Sequence, residues 1–371
     1  MCEILEGLPR KVVLIIDNLN LEYQPLIDIN SNGKVTDWQG KKLRTIELAD
    51  SYRRLGEEFK SKQFRVRDCG TFLEFKRFIS DNSMKLNQAN FCKVRLCPMC
   101  SWRRSLKIYG QVSKIMDEVV KNEDLEFIFL TLTTRNCEGQ DLSSTIDNIF
   151  NAFNKMTRRV KYRKSIKGYF RALEVTHNLN TMSDWFDTYH PHLHIILVVN
   201  KSYFKLKDYY ITQEEWTDIW KQCLQVDYTP LVHVTKVKDT NNKGIEKIIA
   251  ETAKYTVKSD DYIIREDMTN EIIETMTDDA VFILDKALAH RRLTAFGGIL
   301  KEYHKELNLD DVEDGDLVNT DNEDLREDLE FIIERYSWNI GYKIHMKVDV
   351  IEKLVYDCLD SLDIEVEGKK E

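Results

Sequence analysis

The sequence is poor in chain breakers. Five prolines and fourteen glycines among 371 residues exclude a collagen-like or low-complexity chain. Apolar runs are short, and none approaches the roughly 20 residues that a membrane-spanning helix needs. The opening residues, MCEILEGLPRKVVLIID, lack the basic start and small-residue cleavage site of a secretory signal. A soluble chain of a reducing cytoplasm, with no membrane partner, is expected. Hydrophobic residues make up 42%, so substantial cores can form, and the length suits two or three domains. No internal repeat is evident.

An excess of one charge is missing from most of the chain. The net charge is −9, yet residues 301–371 alone hold 9 basic against 22 acidic residues. That leaves 45 basic against 41 acidic in residues 1–300, a balance of +4. Acidity is therefore a property of the C-terminal fifth. The remainder is mildly basic with dense clusters, compatible with nucleic acid and equally with solvated faces.

Cysteine is unevenly spread. Three of eight fall in Cys92-x4-Cys97-x2-Cys100, and Cys69 stands upstream. In a reducing compartment this spacing favours a tetrahedral four-cysteine zinc site over disulfides. Four buried thiols are the alternative. Cys2, Cys137, Cys223 and Cys358 are isolated. The residues after the cluster, Trp102, Arg103, Arg104 and Lys107, are candidate phosphate contacts.

Residues 126–258 carry the clearest periodicity. EFIFLTLTTRN (126–136) reads as a strand and residues 142–160 as a helix with Ile146, Ile149, Phe150 and Phe153 on one face. GYFRALEVTHN (168–178) and HLHIILVVN (192–200) read as strands. Thr212-Gln-Glu-Glu215 is a capping box opening a helix whose Trp216 and Trp220 suit a core better than a stacking platform. A strand (231–238) and a helix (244–258) follow. The order β-α-β-β-α-β-α predicts an α+β fold, a split βαβ, ferredoxin-like antiparallel sheet with helices on one face. Residues 266–307 are expected to be mainly helical with a Gly-Gly break. Residues 308–371 read as an acidic linker and C-terminal helices, the last over 348–362 and suited to self-association. Residues 1–68 have no clear fold beyond a short strand at KVVLIID (11–17), and 69–110 form the cysteine module.

Histidine is scarce, eight in all, yet three stand at alternate positions in His190-Pro-His-Leu-His194. On a strand, His192 and His194 face the same side and can share a metal. Two core histidines bonded to backbone are the bland alternative. Glu174, inside an apolar strand, is the candidate third ligand. A carboxylate there is costly unless paired with a cation or a metal. Such a donor set suits Mn2+, Fe2+ or Zn2+, with Mg2+ where substrate oxygens help. On the expected helix 244–258, Glu251, Tyr255 and Lys258 are spaced to share one face. The basic cluster Lys155, Arg158, Arg159, Lys161, Arg163, Lys164 and Lys167 suits phosphate contact beside this site.

A His-x-His strand followed by Tyr-x-x-Lys resembles the HUH endonucleases. Phe129-Leu-Thr-Leu-Thr-Thr-Arg-Asn136, Pro191-His-Leu-His194 and Glu251-x-x-x-Tyr-x-x-Lys258 resemble the three motifs of rolling-circle replication initiators, in the single-tyrosine subgroup with a glutamate in the third motif. FCKVRLCPMCSWRRSLK and RRLTAFGGILKEY resemble segments of the Rep proteins of Gram-positive plasmids. The likeness spans roughly residues 65–305.

The resemblance implies an HUH nuclease domain over 120–265 and a nickase and strand transferase acting on plasmid origin DNA, at a single-stranded or cruciform nick site with adjacent duplex. It implies Tyr255 as nucleophile, Lys258 as its orienting cation and Mn2+ or Mg2+ on His192, His194 and Glu174. Glu251 is read as the base for hydrolytic release. A host helicase and DNA polymerase are implied partners. A transposase or relaxase of the same superfamily, or a non-catalytic nucleic-acid-binding regulator on this fold, are the competing readings. Relaxases usually place the tyrosine before the histidines, whereas here it follows them.

Overall fold

The computed structural model describes residues 14–16, 24–30, 33–121, 124–237, 243–254, 256–265, 269–320 and 330–354. In chain order the elements are β1 (Leu14–Ile16), α1 (Trp38–Arg54), α2 (Lys60–Asp68), β2 (Phe72–Phe78), β3 (Met84–Ala89), α3 (Pro98–Val120), β4 (Leu125–Thr133), α4 (Leu142–Thr157), α5 (Val160–Ser165), β5 (Ile166–Asn178), β6 (Thr188–Asn200), α6 (Gln213–Leu224), β7 (Val232–Lys236), α7 (Lys243–Thr252), α8 (Asn270–Leu288), β8 (Thr294–Gly298), α9 (Ile299–Glu306), β9 (Glu330–Asn339) and β10 (Ile344–Leu354). The chain is α+β with two antiparallel sheets.

One unit comprises Met1–Leu43, Cys69–Asn90 and Asp324–Glu371. Its sheet has the order β1-β10-β9-β2-β3, every pair antiparallel. Leu73, Phe75 and Tyr336 lie in its core. Buried Glu334 is satisfied by Arg77 at 2.8 Å, Lys347 at 2.7 Å and the Tyr336 hydroxyl at 2.8 Å. This sheet corrects the helical expectation for the C-terminal region. Residues 344–354 form a strand, and 330–339 its hairpin partner, because β9 finds a long-range partner in β2. Residues 355–362 of the expected last helix lie outside the described residues.

The other unit comprises Arg44–Asp68 and Phe91–Glu323. Its sheet has the order β7-β4-β6-β5-β8. The first four strands realise the expected split βαβ. β6 sits between β4 and β5, and β4 between β6 and β7, with every neighbour antiparallel. β8 is an addition, paired to β5 from Gly168↔Gly298 to Ala172↔Thr294. The expected helix through TAFGG is therefore a strand. Its glycines permit the approach: a Cβ on Gly298, which has φ of +58°, would collide with the Lys167 carbonyl oxygen.

Helices cover both faces, not one. On one side, α3, α7 and α9 pack Ile108, Val112, Ile115, Ile245, Ile249 and Leu300 against Phe127, Phe170, Ile196 and Val198. The opposite side carries α4 and α6, with Ile146, Ile149, Phe153, Trp216 and Trp220 buried. Trp220 Nε1 donates to the Thr133 carbonyl at 2.8 Å, so this tryptophan is core. The reason lies in β6, where Ile195 to Val199 are all buried. A strand that is apolar on both sides needs two covers. The capping box on α6 forms: Glu215 N donates to Thr212 Oγ1 at 3.1 Å, and Thr212 N to Glu215 Oε2 at 2.8 Å.

Candidate functional site

Glu174 on β5 stands directly opposite His192 on β6, and Ala172 opposite His194. Residues 174, 192 and 194 therefore project from one face, the face that further along carries Phe170, Ile196 and Val198. Glu174 Oε2 lies 2.9 Å from His194 Nε2 and 3.5 Å from His192 Nε2. One donor atom from each residue falls within 4.8 Å of the other two. Burial alone would raise the Glu174 carboxyl. The hydrogen bonds and charges of His192 and His194 outweigh it and hold the group well below the usual carboxylate range.

The far nitrogens are also engaged. His192 Nδ1 donates to the His190 carbonyl at 3.1 Å, and His194 Nδ1 lies 3.3 Å from Thr131 Oγ1. Phe129 stacks on His194 with centroids 5.7 Å apart. Such outer contacts fix ring orientation and leave both Nε2 atoms facing the carboxylate. Two imidazole nitrogens and one carboxylate oxygen fit a divalent first-row cation. His190 stands apart from the donor group. Its Nε2 donates to the Thr134 carbonyl at 3.0 Å, and burial followed by the His192 charge lowers its pKa.

The third motif is arranged differently from a single helix face. α7 ends at Thr252, where Thr252 Oγ1 returns a bond to the Ile248 carbonyl at 2.6 Å. Glu251 sits in that last turn and pairs with Lys254. Tyr255 lies outside the described residues. Beyond it, Thr256 accepts from the Val175 amide at 2.7 Å, which lays this segment along β5. Lys258 then sends its ammonium to within 3.5 Å of Glu174 Oε1. Four expected residues, Glu174, His192, His194 and Lys258, thus converge. No hydrogen bond or ion pair among the described residues links Glu251 to them, and Thr131, from the segment Phe129–Asn136, is a neighbour whose contact with His194 the sequence did not assign.

The cysteines also gather. The sulfurs of Cys92, Cys97 and Cys100 lie within 4.8 Å of one another. Cys69 and Cys92 flank the base of the β2–β3 hairpin, which Gly70 closes by donating to the Asn90 carbonyl at 3.2 Å. The 22-residue gap between them is that hairpin. Cys92 and Cys100 sulfurs are 3.6 Å apart, far from the ~2 Å of a disulfide. That separation fits a tetrahedral metal, since sulfurs about 2.3 Å from one ion lie nearly 4 Å apart. Amides of Lys93 and Val94 donate to the Cys100 and Cys92 sulfurs at 3.2 and 3.4 Å, and Cys97 is the N-cap residue of α3.

The expected DNA contacts divide. Arg103 and Arg104 are buried. Arg103 donates to the carbonyls of Leu317 and Val318 at 2.8 and 2.5 Å, and Arg104 to that of Lys93 at 2.6 Å. Lys107, 1% exposed, meets Asp310 at 2.6 Å and the Asp316 carbonyl at 2.7 Å. All three charges face inward, Arg103 and Lys107 toward the acidic segment 310–318. Lys155, Arg158, Arg159, Arg163 and Lys164 are exposed, while Lys161 pairs with Glu215 at 2.5 Å. They cluster where β5 begins, whereas Glu174 is eight residues further along that strand. At roughly 3.3 Å per residue the two places are about 26 Å apart, so the cluster does not adjoin the metal-donor group.

A split βαβ sheet that presents a His-x-His pair and an opposed glutamate defines an α+β protein with a candidate metal centre at one end of its sheet. The chain belongs to the Replication protein family of plasmid replication initiators, whose profile matches residues 83–345. It is 42% identical over 321 residues to "Protein rep" of Bacillus amyloliquefaciens, covering 82% of this chain and 91% of that one. It is 41% identical over 304 residues to "Protein rep" of Streptococcus pneumoniae serotype 2, covering 81% and 89%. A "Replication protein" of Staphylococcus aureus is 35% identical over 233 residues, covering 62% and 94%. No solved structure matches the chain. Among the described residues, no helix is long and apolar enough to cross a membrane.

Proposed function

We propose that this replication initiator opens its plasmid origin by nicking one strand and holding the 5′ end covalently. The observation that carries the reading is the convergence of His192 Nε2, His194 Nε2 and Glu174 Oε2. His192, His194 and Glu174 would hold Mn2+ or Mg2+, which when bound supplies Lewis-acid stabilisation of charge on the scissile phosphate. The Tyr255 phenolate oxygen attacks phosphorus as the bond to the 3′ oxygen breaks, and the leaving 3′ oxygen takes a proton from solvent. The products are a 5′-phosphotyrosyl link and a 3′-hydroxyl, on which a host polymerase extends while a helicase unwinds. Lys258, beside Glu174, supplies positive charge to the phenolate and the phosphate. Phosphoryl transfer of this kind depends mainly on positioning and charge. Glu251 takes the proton from the water that hydrolyses the final link, releasing the protein. The exposed residues of the basic cluster contact origin duplex, Cys69, Cys92, Cys97 and Cys100 hold a structural zinc, and the reaction takes place in the bacterial cytoplasm.

The test uses a single-stranded oligonucleotide spanning the plasmid's own nick site, with Mn2+, on a denaturing gel. A covalent protein–DNA band absent in Tyr255→Phe is expected. No band with either metal refutes the proposal. Glu251→Ala is expected to nick normally and to release slowly. Release at the wild-type rate removes Glu251 from the scheme.

A further inference from the structure

β5 outruns its edge partner. β8 pairs with it from Gly168 to Ala172 and then leaves. Beyond that point alternate amides of β5 still face the open side, and each finds an acceptor outside β8. Leu173 N donates to the Leu293 carbonyl at 3.0 Å and Val175 N to the Thr256 carbonyl at 2.7 Å. His177 N donates to a side chain, Asp261 Oδ1, at 3.4 Å. The other carboxylate oxygen of Asp261 accepts from Lys258 N at 3.0 Å. One carboxylate therefore ties the strand that carries Glu174 to the backbone of the residue whose ammonium reaches Glu174.

The histidine completes the tie. His177 Nδ1 donates to the Asp261 carbonyl at 2.9 Å, and Nε2 lies 2.8 Å from Asp187 Oδ1. The ring stacks on Tyr189 with centroids 4.3 Å apart, and its side chain is 1% exposed. The Lys258 side chain, by contrast, is 51% exposed. Little packing holds that ammonium, so its place is set by where its backbone is anchored.

We propose that Asp261 and His177 form a clasp that positions Lys258, and the chain from Thr256 onward, against β5 and Glu174. Both are positioning residues, since neither reaches the donor group. The inference rests on the nicking reaction proposed above, and the test separates the two.

Hydrogen exchange first measures the clasp without chemistry. In Asp261→Ala the His177 amide should exchange at least tenfold faster, while amides in the middle of β6 keep the wild-type rate. Single-turnover adduct formation then measures its effect on the reaction, with the nick-site oligonucleotide and saturating Mn2+. A displacement of about 1 Å at a reacting group can cost 100-fold, so Asp261→Ala should slow the limiting rate to that order. Half-saturating DNA and Mn2+ concentrations should stay within twofold of wild type. Asp261→Asn, which keeps one acceptor, should recover part of the rate, and His177→Phe, which keeps the stack on Tyr189, should lose part. A limiting rate within twofold of wild type in Asp261→Ala overturns the clasp. So does a fall in Mn2+ or DNA affinity that matches the fall in rate, since that marks general damage. If Asp261→Ala fails to fold, the same criteria apply to Asp261→Asn and His177→Phe. If wild type forms no adduct, the nicking proposal fails, and unchanged His177 exchange in Asp261→Ala independently overturns the clasp.

Discussion

His345 ties the stability of the first unit to pH, and its surroundings give the size of the effect. The residue is 2% exposed, donates from Nε2 to the Gly70 carbonyl at 2.7 Å and lies 5.0 Å from the Trp338 ring. Burial pushes its pKa from 6.5 down to about 4. Between those values the unfolded chain binds a proton that the folded chain refuses. Stability is therefore complete above about pH 6.5 and is lost as pH falls toward 4. At about 1.4 kcal/mol per pH unit, the loss is about 2 kcal/mol at pH 5 and about 3.4 kcal/mol below pH 4. His345→Gln keeps an N–H for Gly70 and cannot titrate. Urea unfolding of both proteins at pH 7 and pH 5 gives a double difference in which the other titrating groups cancel. Wild type should lose about 2 kcal/mol more than the variant. A double difference under about 0.5 kcal/mol, the usual error of additivity, refutes the buried neutral histidine.

Adding Mn2+ to 100 times its Kd should stabilise wild type by about 2.7 kcal/mol in a thermal melt. The shift should vanish in His194→Ala, and an undiminished shift there would place the ion elsewhere. Zinc released by a thiol reagent and read with a chromogenic chelator should approach one ion per chain and fall well below that in Cys97→Ser; an equal yield from both would exclude Cys97 as a ligand. Gly298→Ala should cost upward of about 1–3 kcal/mol, because its φ is positive and the added carbon meets the Lys167 carbonyl. A change within about 0.5 kcal/mol, the scatter of ordinary surface substitutions, would contradict the close crossing of β8 over β5. Duplex bound at the basic cluster would lie about 26 Å from Glu174 along β5, or roughly eight base pairs at 3.4 Å each. Footprinting should then show protection at that distance from the nick, and Arg158→Ala should abolish it. Protection confined to the nick itself would contradict this path.

The second sheet was legible because its signals are local. β-branched alternation marked β4 to β7, a capping box marked α6, and His-x-His announced two side chains on one face whatever the strand paired with. The carboxylate opposite them followed from one polar residue in an apolar strand. Features that depend on distant partners were not legible. VDVIEKL satisfies the helical spacing as well as a strand pattern, and only pairing with β9, itself laid on β2 some 250 residues earlier in the chain, makes it β10. The charge of Arg103, Arg104 and Lys107 looked like an outer face, since composition cannot say that backbone carbonyls at 93 and 316–318 await those donors.

The third motif shows the same limit at the site itself. A three-and-four spacing placed Glu251, Tyr255 and Lys258 on one helix, and helical propensity through Ala253 offered no reason to stop. What ends α7 is competition for the chain beyond it. β5 leaves open amides after β8 departs, and Thr256 and Asp261 satisfy two of them. Continuing the helix to Lys258 would forfeit both bonds and leave buried β5 amides without acceptors, at about 1–3 kcal/mol each. The departure from the helix therefore follows from the length of β5. The same length carries Glu174 past the end of β8 to stand opposite His192, so the feature that breaks the predicted column also builds the metal-donor group and draws Lys258 to it.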